Sequence, residues 1–302
     1  MVDVALLGTG GMMPMPERFL SSILLRINGR LIMTDCGEGT QVTLKMLGWG
    51  FKAIDTICFT HFHADHISGL PGMLLTIGNS GRKEPVTLVG PVGLKRVVEG
   101  LRVICPELPF KIEYLEIEDA SQVNDFGDFK LSTCEGEHRI RCFAYRFDIP
   151  RKGKFSVEKA QNIGIPVNMW SILQKGCDVE YKGKVYTSDM VLGDERRGIS
   201  ISFCTDTRPV AALGGFVKDS DLFICEGMYG DNDKLQKAVE YKHMLFSEAA
   251  KLARIGKVNE LWLTHSSPSL SEPEEYIDNA KSIFKNTSVG YDRMTKRINF
   301  SE

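Results

Sequence analysis

A short histidine-rich motif is the part of the sequence best suited to bind metal ions. His61, His63, Asp65 and His66 lie within six positions, in the pattern His-x-His-x-Asp-His. We predict a buried strand over 54–59, at whose end His61 and His63 point to one side while Asp65 and His66 face a second point nearby. Imidazole and carboxylate donors without thiolate suit zinc, manganese or iron, and donors this close together indicate two metals. A lone histidine at a strand end needs no such function, but this spacing is hard to explain otherwise.

Polar residues at the ends of other predicted strands could complete such a site. His138, Asp206 and His265 each follow a strand-like segment, and Asp206 is the carboxylate best placed to bridge two metals. Asp35 also ends a predicted strand. It could accept a hydrogen bond from a metal-bound histidine or cap the helix predicted over 41–47, and the sequence leaves both open.

The elements that must position these residues alternate between strands and helices, which predicts an α/β fold. Glu226 ends a strand predicted over 221–227. His243 precedes an amphipathic helix predicted over 247–255, with Ser247 as its N-cap. None of the six histidines lies within a predicted helical face. Further helices are predicted over 67–77, 93–104 and 273–284.

Composition is that of an ordinary globular protein. The 302 residues are 43% hydrophobic and 25% charged, with a formal net charge of −2, so nucleic-acid binding would have to use local basic patches. Eight cysteines form no Cys-x-x-Cys pair, and most lie in apolar strand-like segments, which favours reduced thiols in the cytoplasm. The chain opens on a strand pattern without a signal peptide, and no apolar segment approaches a membrane span. We therefore expect a cytoplasmic protein with no membrane partner.

The segment 150–198 differs from the rest because it is richer in charge and glycine. We interpret it as an insertion that stands out from the main body. Arg151, Lys152 and Lys154, together with Arg146, could bind phosphate groups. The alternative is a solvated charged loop, which composition alone slightly favours.

The whole series of motifs resembles the metallo-β-lactamase superfamily and, within it, the ribonuclease Z family. The resemblance covers nearly the whole chain, and its matching segments are 7–10, 35–41, 61–72, 206–208, Glu226 with His243, and 263–265. It implies an αββα sandwich formed by 1–302 as one domain, with two zinc ions at one edge, for which manganese or iron could substitute. It also implies a homodimer and a protruding arm at 150–198 that holds the body of a precursor tRNA.

The resemblance also implies a role for each site residue. One metal takes His61, His63 and His138, the other takes Asp65, His66 and His265, and Asp206 bridges them with a hydroxide that attacks phosphorus. Asp65 accepts the proton of this nucleophile. His243 stabilises the developing charge or protonates the leaving oxygen, and Glu226 holds its tautomer. The implied activity is that of an endonuclease that removes the 3′ trailer of precursor tRNA.

Two departures from the family pattern keep other substrates open. The loop Pro-x-Lys-x-Arg-Asn here reads Pro-Met-Pro-Glu-Arg-Phe at 14–19, which retains Arg18 as a predicted substrate contact, and the Gly-Pro motif of the arm is absent from 150–198. The alternatives are a hydrolase of small or cyclic phosphodiesters, a lactone or thioester hydrolase, and a non-enzymatic RNA- or protein-binding relative. His243 with Glu226 favours phosphorus chemistry, and a complete ligand set argues against a purely structural site.

Overall fold

The computed structural model of the protein describes residues 1–301. A seven-stranded mixed sheet forms one half of the fold. Its strands are β1 (Val2–Gly8), β2 (Ser22–Ile27), β3 (Arg30–Thr34), β4 (Ile54–Cys58), β5 (Val86–Pro91), β6 (Ile112–Ile117) and β16 (Thr295–Ile298). The order is β16-β1-β2-β3-β4-β5-β6. Pairing is antiparallel from β16 to β3 and parallel from β3 to β6.

A second seven-stranded sheet has the order β15-β14-β13-β12-β9-β8-β7. Its strands are β7 (Val123–Asp125), β8 (Lys130–Glu135), β9 (Phe143–Arg151), β12 (Arg196–Cys204), β13 (Leu222–Glu226), β14 (Leu261–Thr264) and β15 (Thr287–Val289). Strands β12 to β15 are parallel, so their carboxyl ends meet at one edge. The sheets touch directly, since the Tyr145 hydroxyl donates to the Phe59 carbonyl oxygen at 2.7 Å.

Helices cover the outer face of each sheet and complete the αββα sandwich. Those of the first half are α1 (Thr40–Leu47), α2 (Ala64–Ile67), α3 (Leu70–Asn79) and α4 (Leu94–Leu101). Those of the second are α7 (Ala211–Phe216), α9 (Phe246–Ile255) and α10 (Asp278–Lys281). A further helix, α8 (Leu235–Tyr241), contributes no residue to this apolar layer. Strands β13 and β14 are buried along their whole length because the other sheet and a helix layer cover both faces.

Three of the helix predictions differ from the structure in detail. The helix predicted over 67–77 is α3, which begins only at Leu70. The preceding α2 was not predicted, so His66 lies in a helix and not at a turn. The two helices are separated at Gly69, where an added Cβ would lie 2.2 Å from the Gly37 carbonyl oxygen. The helix predicted over 273–284 is a 3₁₀ turn at Pro273–Tyr276 followed by the short α10. Ser247 is not an N-cap, because α9 has already begun at Phe246 and the serine hydroxyl donates to Asn232.

The chain divides into two compact units. One comprises Met1–Asp148 and Ile199–Asn299, and the other comprises Ile149–Gly198 with the chain end from Phe300. The second unit contains α5 (Val157–Asn162), α6 (Val167–Gln174) and the hairpin of β10 (Val179–Tyr181) and β11 (Lys184–Tyr186). It has a small apolar core of its own, made of Ala160, Ile165, Leu173, Val179, Tyr186 and Val191. It covers the segment predicted as an insertion, and its role in substrate binding stays a prediction.

No helix within residues 1–301 is long and apolar enough to cross a membrane.

Candidate metal centre

The predicted ligands are carried by the carboxyl ends of strands in both sheets. His61 and His63 follow β4, Asp206 follows β12 and His265 follows β14. Two of these residues, Asp206 (φ 43°) and His265 (φ 57°), have left-handed backbone conformations, as does Asp35 (φ 59°) at the end of β3. Such conformations are uncommon for residues other than glycine and are often retained at functional sites.

One group of donor atoms belongs to His61, His63, His138 and Asp206, all within 4.8 Å of one another. The Nδ1 atom of His63 lies 3.0 Å from Nε2 of His61 and 3.2 Å from Nε2 of His138. The Oδ2 atom of Asp206 lies 3.6 Å from Nε2 of His138. Three imidazole nitrogens and a carboxylate oxygen therefore face a common point.

A second group comprises Asp65, His66 and His265. The other oxygen of Asp206, Oδ1, lies 3.2 Å from Nε2 of His66 and 3.1 Å from Nε2 of His265. The two oxygens of Asp206 thus face different groups, which is the geometry a bridging carboxylate requires.

Hydrogen bonds on the far side of the rings orient the imidazoles. The Nδ1–H of His66 donates to Asp35 (2.8 Å), and that of His138 donates to the Lys242 carbonyl oxygen (3.1 Å). The Ser21 hydroxyl donates to the Gly10 carbonyl and therefore accepts from Nδ1–H of His265 at 2.7 Å. By the same reasoning the Thr60 hydroxyl, which donates to Asp35, accepts from Nδ1–H of His61 at 3.0 Å. Each of these four rings is left with the Nε2 lone pair directed into the centre, whereas His63 faces it with Nδ1.

These residues fit a pair of divalent cations. Within residues 1–301, the Nε2 atoms of His66 and His265 are among the few buried polar side-chain atoms without a hydrogen-bond partner. An unpartnered buried lone pair is costly unless something binds it, and an imidazole held by an acceptor on its other nitrogen is the usual form of a metal ligand. The nitrogen and oxygen donors suit zinc, manganese or iron.

In the metal-free protein, electrostatics favour a neutral His61 and ionised carboxylates. Burial would lower the pKa of His66, but Asp206 and Asp35 raise it well above its ordinary value, so this imidazole must lose a proton to bind a metal. Burial, reinforced by the neighbouring His66, lowers the pKa of His61 well below its ordinary value, so this imidazole is neutral. Burial would raise the pKa of Asp206, but His265, His66 and His61 hold it well below its usual range. The pKa of Asp65 is likewise lowered, because His66 and His265 outweigh its burial. Both carboxylates are therefore ionised.

His243 lies beside this centre and contacts the buried Glu226. Its Nδ1 atom is 3.2 Å from Oε2 of Glu226, whose two oxygens also accept the backbone N–H groups of Thr207 (2.6 Å) and Met244 (3.0 Å). The His243 and His138 rings are 5.3 Å apart. One donor atom of His243 also lies within 4.8 Å of donors of Asp206 and His265, so its role outside the ligand set stays a prediction.

Asp35 adopts the first of the two arrangements that the sequence left open. It accepts from His66 and from both the backbone N–H and the hydroxyl of Thr60, each at 2.8 Å. It does not cap α1, whose N-cap residue is Gly39, without a side-chain hydrogen bond.

Sequence reasoning missed a set of residues that support the centre. The Met12 backbone N–H donates to Oδ2 of Asp65 at 2.8 Å. The Arg208 guanidinium forms a bidentate pair with Glu248 and also donates to the His243 carbonyl oxygen. Arg208 lies in the segment 206–208 that matches the family, and this match was the only indication in the sequence of a role for it. Nothing in the local sequence marks Ser21, Thr60 or Met12.

The predicted substrate contacts are not gathered at the centre. The Arg18 guanidinium donates to the carbonyl oxygens of Leu270 (2.9 Å) and Ser271 (3.0 Å) and so holds a loop of the protein itself. Arg151, Lys152 and Lys154 belong to the second unit, where Arg151 lies over the Phe300 ring. Arg146 is paired with Asp148. Their contact with substrate stays a prediction.

Comparisons with known proteins agree with this geometry. A ribonuclease Z from Clostridium kluyveri is 56% identical over 303 residues, covering 100% of both chains. One from Lachnospira eligens is 53% identical over 302 residues, covering 100% of this chain and 99% of the relative. The crystal structure of the short form of human tRNase Z superposes with a TM-score of 0.70 at 25% identity, over 99% of this chain and 100% of that one. The family model described as anti-Pycsar protein Apyc1 matches residues 2–100.

Proposed function

This chain belongs to the ribonuclease Z family, and we propose that it is a two-metal endoribonuclease that removes the 3′ trailer of precursor tRNA. The observation that carries the proposal is the position of Asp206 between two groups of imidazoles, with one carboxylate oxygen facing each. Two cations held in this way, when bound, supply a water of lowered pKa and hold the attacking and leaving oxygens of a phosphodiester.

The chain's own residues then handle the protons. Asp65 accepts the proton of the attacking water, and the Met12 N–H fixes the carboxylate in the required orientation. Glu226 holds Nδ1–H of His243, which leaves Nε2 of that ring for the substrate. His243 protonates the leaving oxygen or stabilises the charge that develops on the phosphoryl group.

Zinc is the metal we assign to both sites, because closely packed imidazole and carboxylate donors without thiolate suit its coordination. Manganese and iron accept similar donors, so the donor set alone supports zinc without excluding them. Metal analysis of the protein purified from its own cells decides between them.

The proposal extends to how the substrate is held and where the protein acts. The second unit, with Arg151, Lys152 and Lys154, is the surface we assign to the tRNA body, and the chain acts as a homodimer. All eight cysteines are free thiols and six of them are buried, which supports a cytoplasmic location.

Turnover of two substrates in parallel tests the function. The zinc-loaded protein should cleave a precursor tRNA at the junction with its 3′ trailer and should also hydrolyse bis(p-nitrophenyl) phosphate. Asp206→Asn should abolish both activities, because it removes the shared carboxylate charge. Hydrolysis of the small diester without cleavage of the precursor would keep the phosphodiesterase chemistry but reject the tRNA substrate.

A further inference from the structure

We propose that Tyr241, Arg139 and Lys237 form a nucleotide subsite beside the metal centre. In this subsite the Tyr241 ring stacks on a base next to the cleaved phosphodiester. The side chains of Arg139 and Lys237 contact the adjoining backbone phosphates. The inference rests on the proposed function, because it takes the substrate to be RNA. It adds a recognition element on the main body, separate from the second unit.

Two neighbouring contacts place the subsite directly next to the centre. His138 donates from Nδ1 to the Lys242 carbonyl oxygen at 3.1 Å. The next residue, Arg139, has its guanidinium carbon 5.2 Å from the centroid of the Tyr241 ring. Arg139 directly follows His138, and Tyr241 lies two positions before His243, so the Arg139–Tyr241 pair adjoins two functional histidines.

Helix α8 brings the third residue to the same wall. Lys237 and Tyr241 are four positions apart on this helix and therefore share a face. Both line a cleft of about 530 Å³, together with Arg139 and with His63, Asp206 and His243 of the centre. A cleft of this size is typical of small-molecule and cofactor sites.

The two basic side chains that line this part of the cleft are free to bind a ligand. Arg139 and Lys237 are exposed, and neither forms an ion pair with a carboxylate in the part of the chain from 1 to 301. Tyr241 is 41% exposed. Aromatic rings combined with unpaired basic groups are characteristic of grooves that bind single-stranded nucleic acid, where the bases stack and the phosphates are neutralised.

The competing explanation is that Arg139 and Tyr241 form a surface cation–π pair that only stabilises the fold. Variants of Tyr241, tested on substrates with and without a base near the cleavage site, distinguish this explanation from the subsite. Tyr241→Ala should lower kcat/KM for a precursor tRNA by about 5- to 150-fold, the loss expected for one stacked base. Tyr241→Phe should retain activity because it keeps the ring. Tyr291→Ala, which removes an exposed tyrosine outside the cleft, should have no effect.

Precursors with an abasic nucleotide on either side of the cleavage site locate the stacked base. At one of the two positions the abasic substrate should be cleaved equally by the wild type and by Tyr241→Ala, because the ring has no base left to contact. The rate of bis(p-nitrophenyl) phosphate hydrolysis should not change in the variant. Equal losses on the intact and both abasic precursors, or a loss on the small diester, would overturn the subsite.

A second pair of substrates tests the subsite even if the protein does not cleave precursor tRNA. If the wild type does not cleave precursor tRNA, its preference for thymidine 5′-(p-nitrophenyl phosphate) over bis(p-nitrophenyl) phosphate is measured. A preference that disappears in Tyr241→Ala supports the subsite although the tRNA substrate is wrong. No preference, or one that the variant retains, rejects the subsite as well.

Discussion

Replacement of Asp35 by asparagine tests whether the residues behind the imidazoles tune metal binding. The buried carboxylate accepts three hydrogen bonds, with Oδ2 serving His66 and the Thr60 hydroxyl while Oδ1 serves the Thr60 N–H. Asparagine has a single acceptor oxygen. If this oxygen takes the place of Oδ2 and keeps two hydrogen bonds, the NH₂ group takes the place of Oδ1 and faces the Thr60 N–H donor. One hydrogen bond to a charged group is then lost, at about 1.5–3 kcal/mol of unfolding free energy.

The same change should weaken the metal site that contains His66. Loss of a carboxylate partner behind a metal-bound histidine typically lowers metal affinity about 10- to 100-fold. We expect Asp35→Asn to bind one zinc ion as tightly as the wild type and the second with affinity reduced by this factor. Competition with a fluorescent chelator measures both constants, and urea unfolding of the metal-free protein measures the stability.

Asp292→Asn is the matched control. Asp292 is also a buried carboxylate, and it accepts from the Thr9 hydroxyl (2.8 Å) and the Phe19 N–H (2.7 Å), away from the centre. It should lose similar stability and keep both metal affinities. Wild-type affinity for two ions in Asp35→Asn, or an equal loss of affinity in the control, would refute the reasoning.

Three further predictions concern His243 and its support. His243→Ala should keep both metals and lose most of kcat on RNA, as measured by metal analysis and single-turnover cleavage; loss of a metal would make His243 a ligand instead. Arg208→Lys, which cannot keep the bidentate pair with Glu248 and the bond to the His243 carbonyl, should lower kcat about 10-fold with unchanged metal content, whereas an unchanged kcat would exclude a positioning role. In the metal-free protein, burial lowers the pKa of His243, but Glu226 and then Asp206 raise it to about 9 from the ordinary 6.5. Protonated His243 therefore stabilises the fold fully below pH 6.5, and this contribution disappears as the pH rises through 9. Glu226→Gln should move the midpoint of the His243 NMR titration to lower pH, and a midpoint that stays in place would contradict the assignment of the charge partner.

The sequence was informative where the site depends on neighbours along the chain. The spacing of His61, His63, Asp65 and His66 is itself the signature of the centre, and strands such as β4 and β14 are recognisable as short apolar segments that end in polar residues. The grouping of the ligands around Asp206 came from the family resemblance, since no local pattern reports which strand ends meet.

Contacts between distant parts of the chain could not be predicted. Ser21 accepts from His265 across 244 positions, and an isolated serine gives no sign of such a partner. The Arg18 guanidinium, whose contact with substrate stays a prediction, donates to carbonyl oxygens about 250 positions away, and only the folded chain brings these near. Backbone acceptors carry no residue-type signal, so a basic side chain that binds them is indistinguishable in sequence from one that binds phosphate.

The zinc content of the fully active protein tests the central claim most directly. Metal-free protein is reconstituted stepwise with zinc, and at each step the bound metal per chain and the rate of precursor tRNA cleavage are measured on the same sample. The two-group geometry around Asp206 predicts that cleavage reaches its maximum only when two zinc ions are bound per chain. Full cleavage with one ion bound per chain, or with none, would contradict it.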